Sequence, residues 1–367
     1  MAEPLKNVYN PSFFEGFIAT AKQVLPAFNE QQFLNVIFDQ EWEKRELKQR
    51  MRHIATALND QLPGYYNEQV GFILKITEAL QQQGINGGLE YIFFPDFIEQ
   101  YGLQDLKCSL KAMETLTQFI SCEFAIRPFL LKYPNEVMAQ MLKWSKHPHH
   151  HVRRFSSEGC RPRLPWAMAI PGLKINPSPV IPILENLKND SSVFVRKSVA
   201  NNLNDIAKDN PMVVVQLVKK WKGYSKETDW IIKHGCRSLL KKAHPDVYKI
   251  FELPDTASCE ISGLKLASKK LKIGERLGFS FELKSIHQKK CKLRIEYAVH
   301  YVKANGKQNR KIFQLTEKYF EPGTYYSFEK EQRFQDFTTR KHYPGKHRIG
   351  IIVNGIEMAS KEFQLLQ

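Results

Sequence analysis

Two periodicities divide the chain. From residue 12 to about residue 250, apolar positions recur every three or four residues, the spacing of one helix face. "EQQFLNVIFDQEWEKRELKQRMRHIATALND" (30–60) keeps that spacing, and "NEQVGFILKITEALQQQG" (67–84) predicts a helix that stops at Gly84. After Pro254, apolar and polar residues alternate singly, as in "ISGLKLASKKLKIGERLGFSFELKSI", "CKLRIEYAVHYVKANGKQNRKIFQL", "GTYYSFEKEQRF" and "HRIGIIVNGIEMASKEFQLL". Alternation puts successive side chains on opposite faces, so these segments predict strands. Asn305-Gly306 and Asn354-Gly355 predict tight hairpin turns, because both central residues of such a turn take positive φ. About seven short strands over roughly 110 residues predict an immunoglobulin-like sandwich. The expected domains are therefore a helical one over 1–255 and a β one over 259–367.

From Leu103 the helical part repeats itself. "VMAQMLKWSKHPHHHVRRFSSEGC" and "PVIPILENLKNDSSVFVRKSVANN" share a helix, a short polar turn, and "VRR" or "VRK" opening a second helix. Val152 and Val195 are 43 residues apart. A third copy, "VVVQLVKKWKGYSKETDWIIKHGCRSLL", follows about 36 residues later, and its Gly235-Cys236-Arg237 echoes Gly159-Cys160-Arg161. Helix pairs at this period predict an α superhelix of HEAT-like repeats, here followed by an all-β immunoglobulin-like sandwich. The matching turns argue against an irregular helical bundle. In such a stack the second helix of each pair lines the concave surface. Arg154, Glu158 and Arg161 fall at i, i+4 and i+7 and so share a face. A shift of 43 brings Lys197, Asn201 and Asn204 to the matching face, with Asp205 beside them, and Glu123 and Arg127 stand at i, i+4 one helix earlier. The expected groove is polar and mostly cationic.

Composition narrows the class. The chain has 367 residues, 43% hydrophobic and 25% charged, which is ordinary for a globular protein of two or three domains. No apolar run approaches the roughly 18 residues of a membrane span. The start, "MAEPLKNVYNPSFF", lacks a basic segment followed by an apolar core, so a cytoplasmic protein is expected. Cys108, Cys122, Cys160, Cys236, Cys259 and Cys291 are scattered without a C-x-x-C pair and read as reduced packing residues. His147, His149, His150 and His151 precede a helix with no acid or thiolate support, so no metal site is expected. The net charge of +16 suggests a polyanionic partner, most simply nucleic acid. Residues 259–367 carry 22 Lys/Arg against 11 Asp/Glu, so the sandwich is expected to clamp a duplex from the side opposite the groove. The plainer alternative makes it a stability module.

The stretch "HPHHHVRRFSSEGCRPRLPW" (147–166) poses the chemical question. Arg153, Arg154, Arg161 and Arg163 surround one acid, Glu158. Guanidinium forks suit phosphate oxygens, and a plain i, i+4 salt bridge on a solvated face would account for Arg154 and Glu158 alone. Trp166, bracketed by prolines, offers its face to a flat cation, unless it merely packs under a loop. Carboxylates oppose phosphate, so Glu158, Glu123 and Asp205 need another task. Cleaving a glycosidic bond develops positive charge on the sugar, which a fixed carboxylate stabilises. An already cationic base leaves with little general-acid help.

At these residues the chain resembles the AlkC-type DNA-3-methyladenine glycosylases, a branch of the HEAT-like-repeat DNA alkylation repair family. The stretches that carry the likeness are "MAEPLKNVYN", "SCEFAIRPF" (121–129), "HVRRFSSEGCRPRLPW" (151–166) and "SVANNLNDIAKD" (198–209). The resemblance implies excision of cationic N3-alkylated bases, 3-methyladenine and 3-methylcytosine especially, from a bent double-stranded DNA without burying a flipped base. It implies Glu123, Glu158 and Asp205 as acids facing the lesion, Phe124 and Trp166 as aromatic contacts, and Arg154 and Arg161 as DNA ligands. Arg153, Arg163 and Lys197 join these as expected DNA contacts from the charged stripe alone. No cofactor is expected, and no lysine stands out beside the acids as a Schiff-base former, so a monofunctional, monomeric enzyme is expected. The rivals are a non-catalytic HEAT-repeat scaffold that binds nucleic acid, and a protein-interaction adaptor.

Overall fold

Helical periodicity becomes helices and alternation becomes strands. The computed structural model describes residues 3–254, 259–337 and 341–367, and among these sixteen α-helices run up to Ile250 and eight strands follow. The expected boundary at 255–258 lies outside the described residues. The 30–60 stretch is not one helix: it breaks between Glu30–Ile37 and Leu47–Asn59, where Glu46 and Gln49 form a capping box that starts the second helix. The helix Tyr66–Gln82 ends as predicted, with Gly84 at φ 82°. Among the described residues no helix is long and apolar enough to cross a membrane.

The repeats are helix pairs. Pro134–Trp144 packs on His150–Gly159, and Ile181–Leu187 on Val193–Asp209; the second members and Lys226–Gly235 stack in series. Val195, Val199, Leu203 and Ile206 line the buried face of Val193–Asp209 at helical spacing. The shared "VR" has a structural reason. Arg153 Nη1 donates to the carbonyls of His147 (3.0 Å) and Pro148 (2.6 Å), and Arg196 Nη1 donates to those of Asp190 and Ser191 (2.8 Å each). Each arginine ties its helix to the turn before it. The echoed Gly-Cys has a packing reason, since a Cβ on Gly235 would lie 2.9 Å from Leu203 Cβ and one on Gly159 would lie 2.8 Å from Met141 Cε. Glycine there lets neighbouring helices approach.

The strands are β1 (Cys259–Leu266), β2 (Lys270–Lys272), β3 (Arg276–Ser285), β4 (Cys291–Val302), β5 (Gln308–Phe320), β6 (Tyr325–Arg333), β7 (Gly345–Val353) and β8 (Ile356–Leu366). They form one sheet of order β1-β3-β6 and another of order β2-β8-β7-β4-β5. The eighth strand beyond the seven expected is β2, three residues long and parallel to β8, too short to register as its own alternation. Leu277, Leu283, Leu293, Ile295, Ile349, Ile351 and Val353 fill the space between the sheets. Asn354 (φ 44°) and Gly355 (φ 82°) make the expected two-residue β7–β8 turn; between β4 and β5 only Gly306 (φ 75°) takes positive φ, in a longer loop over 303–307 rather than a two-residue Asn-Gly turn.

The chain forms two compact units. One runs to Val214 and includes Gly223–Gly235; the other comprises Val215–Lys222 and Cys236–Gln367. Within the second, the helices Arg237–Lys241 and Pro245–Ile250 lie on the five-stranded sheet: Lys241 Nζ donates to Ile312 O (3.0 Å) and Lys292 Nζ to Phe251 O (3.0 Å). Replacing Gly235 with Val is expected to destabilise the protein by about 1–3 kcal/mol, the usual cost of overpacking a rigid contact, as measured by urea unfolding.

Candidate active site

The site grows from two stacked helices and the turns beside them. Arg154 and Glu158 sit on His150–Gly159, Arg161 just beyond its end, and Asp205 and Lys208 on Val193–Asp209. Glu123 lies in the turn before the helix Ile126–Lys132. Arg154 Nη1 reaches Glu123 Oε2 at 2.5 Å, Arg161 Nη1 reaches Glu158 Oε1 at 2.6 Å, and Arg161 Nε donates to Asp205 Oδ2 at 2.8 Å. Lys208 Nζ closes the row on Asp205 Oδ1 at 2.9 Å. Charges therefore alternate along Glu123, Arg154, Glu158, Arg161, Asp205 and Lys208. Glu158 is 5% exposed and Asp205 1%. Removing a carboxylate from water costs several kcal/mol unless a partner accompanies it, which is why each acid holds a cation. The i, i+4 pair itself, Arg154 Nη2 to Glu158 Oε1 at 3.6 Å, is the longest link. A solvated surface pair is not what these residues form.

The arginines are held as firmly as the acids. Burial works against the Arg161 charge, but Glu158 and Asp205 outweigh it and raise its pKa above the ordinary value. Arg154 also donates to Ser121 Oγ (2.5 Å) and stacks on Phe194, 4.8 Å from the ring centroid. Both guanidinium groups are thus fixed in position before any ligand arrives.

Trp166 stands in a loop that runs from Arg161 to Ile170. The indole is 61% exposed, so it is not a packing residue, and its backbone takes φ 64°, the left-handed region that an L side chain rarely adopts. Arg127, fully buried, anchors this loop. Its Nη1 donates to the carbonyls of Gly159 (3.1 Å) and Arg161 (3.0 Å), and its Nε to that of Met168 (2.5 Å). Burial lowers the Arg127 pKa to about 10, still well above neutrality.

The remaining expected residues scatter. Arg153 is bound to Asp190 (2.6 and 3.0 Å) besides its turn carbonyls, Arg163 to Asp209 (2.7 and 2.5 Å), and Lys197 is exposed; none of the three joins the charge row. Phe124 follows Glu123 in the same turn. The expected helix face carrying both Glu123 and Arg127 at i, i+4 does not form, because Glu123 precedes the helix and Arg127 is buried against the loop carbonyls. Sequence reasoning did not single out Arg127 as an anchor, nor Ser121 or Lys48. Lys48 Nζ donates to Trp166 O at 2.8 Å from 118 residues away, a contact with no sequence signal. The histidines shape the start of the helix: His147 Nδ1 accepts from His149 N (3.0 Å) and His149 Nδ1 from His151 N (3.3 Å). Among the described residues no His/Cys/Asp/Glu group could hold a metal ion. Burial pushes the Cys160 and Cys236 thiols up to about 12.

Helical repeats with buried acids interleaved with arginines, joined to an immunoglobulin-like β fold, define a class of DNA-repair protein. The sequence model described as "DNA alkylation repair enzyme" matches residues 114–239, and that of the YhaZ C-terminal Ig-like domain matches 260–367. The protein YhaZ of Bacillus subtilis (strain 168) is 43% identical over 361 residues, covering 98% of this chain and 99% of its own. The alkylpurine DNA glycosylase AlkC of Pseudomonas fluorescens, solved bound to DNA containing an abasic site analogue, superposes with a TM-score of 0.94 at 35% identity over 100% of both chains. The chain belongs to the DNA alkylation repair enzyme family, and within it to the AlkC type. Arg127→Lys keeps the charge but not the fork, and is expected to cost about 2–5 kcal/mol in urea unfolding as buried carbonyls lose their donors.

Proposed function

We propose that the protein is a monofunctional DNA glycosylase that hydrolyses the N-glycosidic bond of cationic N3-alkylated bases, 3-methyladenine and 3-methylcytosine, as the opening step of base excision repair. The observation that carries this reading is Glu158, a buried carboxylate shared between Arg154 and Arg161 on the helix that leads into the loop of an exposed tryptophan. A scaffold that only grips phosphate is better served by arginines with free donors, whereas these are committed to acids.

In the proposed reaction, the C1′–N bond breaks and its electron pair neutralises the ring of the departing base. Positive charge moves to the sugar, and a water oxygen then bonds to C1′ and releases its proton to solvent water. Glu158 and Asp205 stabilise the oxocarbenium-like sugar and orient the water, with Glu123 in support. Their own arginines hold them in place, so no reorganisation is needed as charge develops. Trp166 and Phe124 offer electron-rich faces to the cationic base. Exposure of Trp166 supports contact at the surface of the duplex rather than in a closed pocket. Arg154 and Arg161, already engaged with acids, bring their remaining potential to nearby phosphates, while Arg153, Arg163 and Lys197 contribute to the surrounding positive field. The protein works as a cytoplasmic monomer on double-stranded DNA, and a leaving group that is already cationic needs no metal or organic cofactor.

Release of 3-methyladenine from methylated duplex is expected to fall at least 100-fold in Glu158→Gln, the scale of a lost electrostatic stabiliser, while DNA affinity persists. Unchanged release in the variant would move the chemistry to Asp205 or Glu123. Tight salt-dependent binding without release by the wild type would make the protein a scaffold.

The basic β domain is assigned a phosphate-binding role, supported by exposed Lys265, Lys269, Lys270 and Lys272 on β1, β2 and the link between them. Replacing the last three with Gln is expected to flatten the dependence of log affinity on log salt by about 0.9 for each phosphate that these lysines neutralise. An identical slope would return that domain to a stability role.

A further inference from the structure

Lys48 is the second residue of the helix Leu47–Asn59. A cation in the first turn of a helix meets the positive end of its macrodipole, so the position is unfavourable by itself. Among the described residues Lys48 makes no ion pair within 4 Å, although its charge acts favourably on the Glu99 carboxylate nearby. Its ammonium instead makes two contacts with the candidate lesion site. Nζ donates to the Trp166 carbonyl at 2.8 Å and stands 5.1 Å from the centroid of the Phe124 ring.

Trp166 needs such a partner. A left-handed backbone at a non-glycine residue is strained and persists only where its surroundings impose it. Ala167 N bonds to Leu164 O (3.3 Å) and Arg127 holds Met168 O, so the chain is tied on either side of Trp166. Of these contacts only Lys48 grips the strained residue itself. The same ammonium rests on Phe124, so one side chain joins the main chain of Trp166 to the Phe124 ring. Phe124, for its part, already has a cation at its ring.

We propose that Lys48 is a positioning residue that ties Trp166 to Phe124, so that both rings meet the cationic base in one arrangement. The proposal rests on the glycosylase reading above. It makes Lys48 act through Trp166, without touching the reacting atoms and without serving as a phosphate ligand.

A double-mutant cycle on single-turnover base release from methylated duplex tests it. Lys48→Met is expected to slow release about tenfold, with duplex affinity and its salt dependence unchanged, since misplacing a positioning group by about 1 Å costs rate rather than binding. Lys48→Arg, which can still donate to the carbonyl, is expected to restore most of the rate. In a Trp166→Ala background Lys48→Met is expected to cost less than twofold, because there is no indole left to place. Additive losses, an unaltered rate in Lys48→Met, or weaker binding with a salt slope lower by about 0.9 would overturn the proposal, the last by making Lys48 a phosphate ligand. Amide hydrogen exchange over 164–168 is a readout independent of catalysis. Faster exchange in Lys48→Met supports the tether, and identical exchange overturns it. If the wild type releases no base, the glycosylase reading fails by itself, and exchange alone decides whether Lys48 holds the loop.

Discussion

A buried guanidinium needs acceptors for the donors it takes out of water, and Arg127 finds three in the main chain, for Nε and Nη1, while its Nη2 has none among the described residues. Gly159, Arg161 and Met168 all give it their carbonyls, so one side chain joins the end of the His150–Gly159 helix to both flanks of the tryptophan loop. Desolvation pulls its pKa down to about 10, yet it remains charged at neutral pH, and the carbonyls stay committed to it. The chain cannot leave the helix by another route without stranding a buried cation. With Arg161 placed in this way, its side chain reaches Glu158 in one repeat and Asp205 in the next. The loop is delivered in the same step, with Trp166 facing outward.

The row of alternating charge is the second consequence. Acids in a protein meant for DNA would repel it if they stood free, and would be costly to bury if unpaired. Interleaving them with arginines meets both constraints, and it gives the carboxylates fixed positions of the kind that charge development at a sugar requires. It also changes how the arginines are to be understood. Arg153, Arg154, Arg161 and Arg163 all have protein carboxylates as partners, so the attraction for a polyanion falls more heavily on the lysine-rich remainder of the surface. The +11 balance of residues 259–367 is consistent with that division.

The β domain shows a related economy. On β4, Arg294 and Glu296 alternate with core residues and so belong to the face turned away from the sandwich interior, where polar groups usually meet water. Here that face is covered by the helices between 237 and 254. Arg294 bridges Glu296 (2.7 Å) and Glu317 (2.9 Å) underneath them, and burial among these acids pushes the Tyr248 hydroxyl up to about 12. Polar alternation is therefore retained for a buried ion network, and the final helices of the α region are part of the compact unit that contains the sheets.

Local chemistry made the architecture legible. Helical spacing, single alternation after Pro254 and the Asn354-Gly355 turn each depend on neighbours within a few residues, and each specified its element directly; the 43-residue repeat then showed which helices pair alike. Glu158, Arg154 and Arg161 could be placed together for the same reason, being four and three residues apart near one helix. The contacts that turn those residues into a site span 31 to 118 residues: Glu123 with Arg154, Arg161 with Asp205, Arg127 with the loop carbonyls, Lys48 with Trp166. Sequence suggested that several of these residues share a groove, through the repeat; it did not say which acid holds which arginine, or that Arg127 turns inward while Arg154 does not. Those choices follow from burial, because only the packed chain determines which polar groups lose water and must find one another. Composition and periodicity settled the fold of this chain, and desolvation in the tertiary structure settled its site.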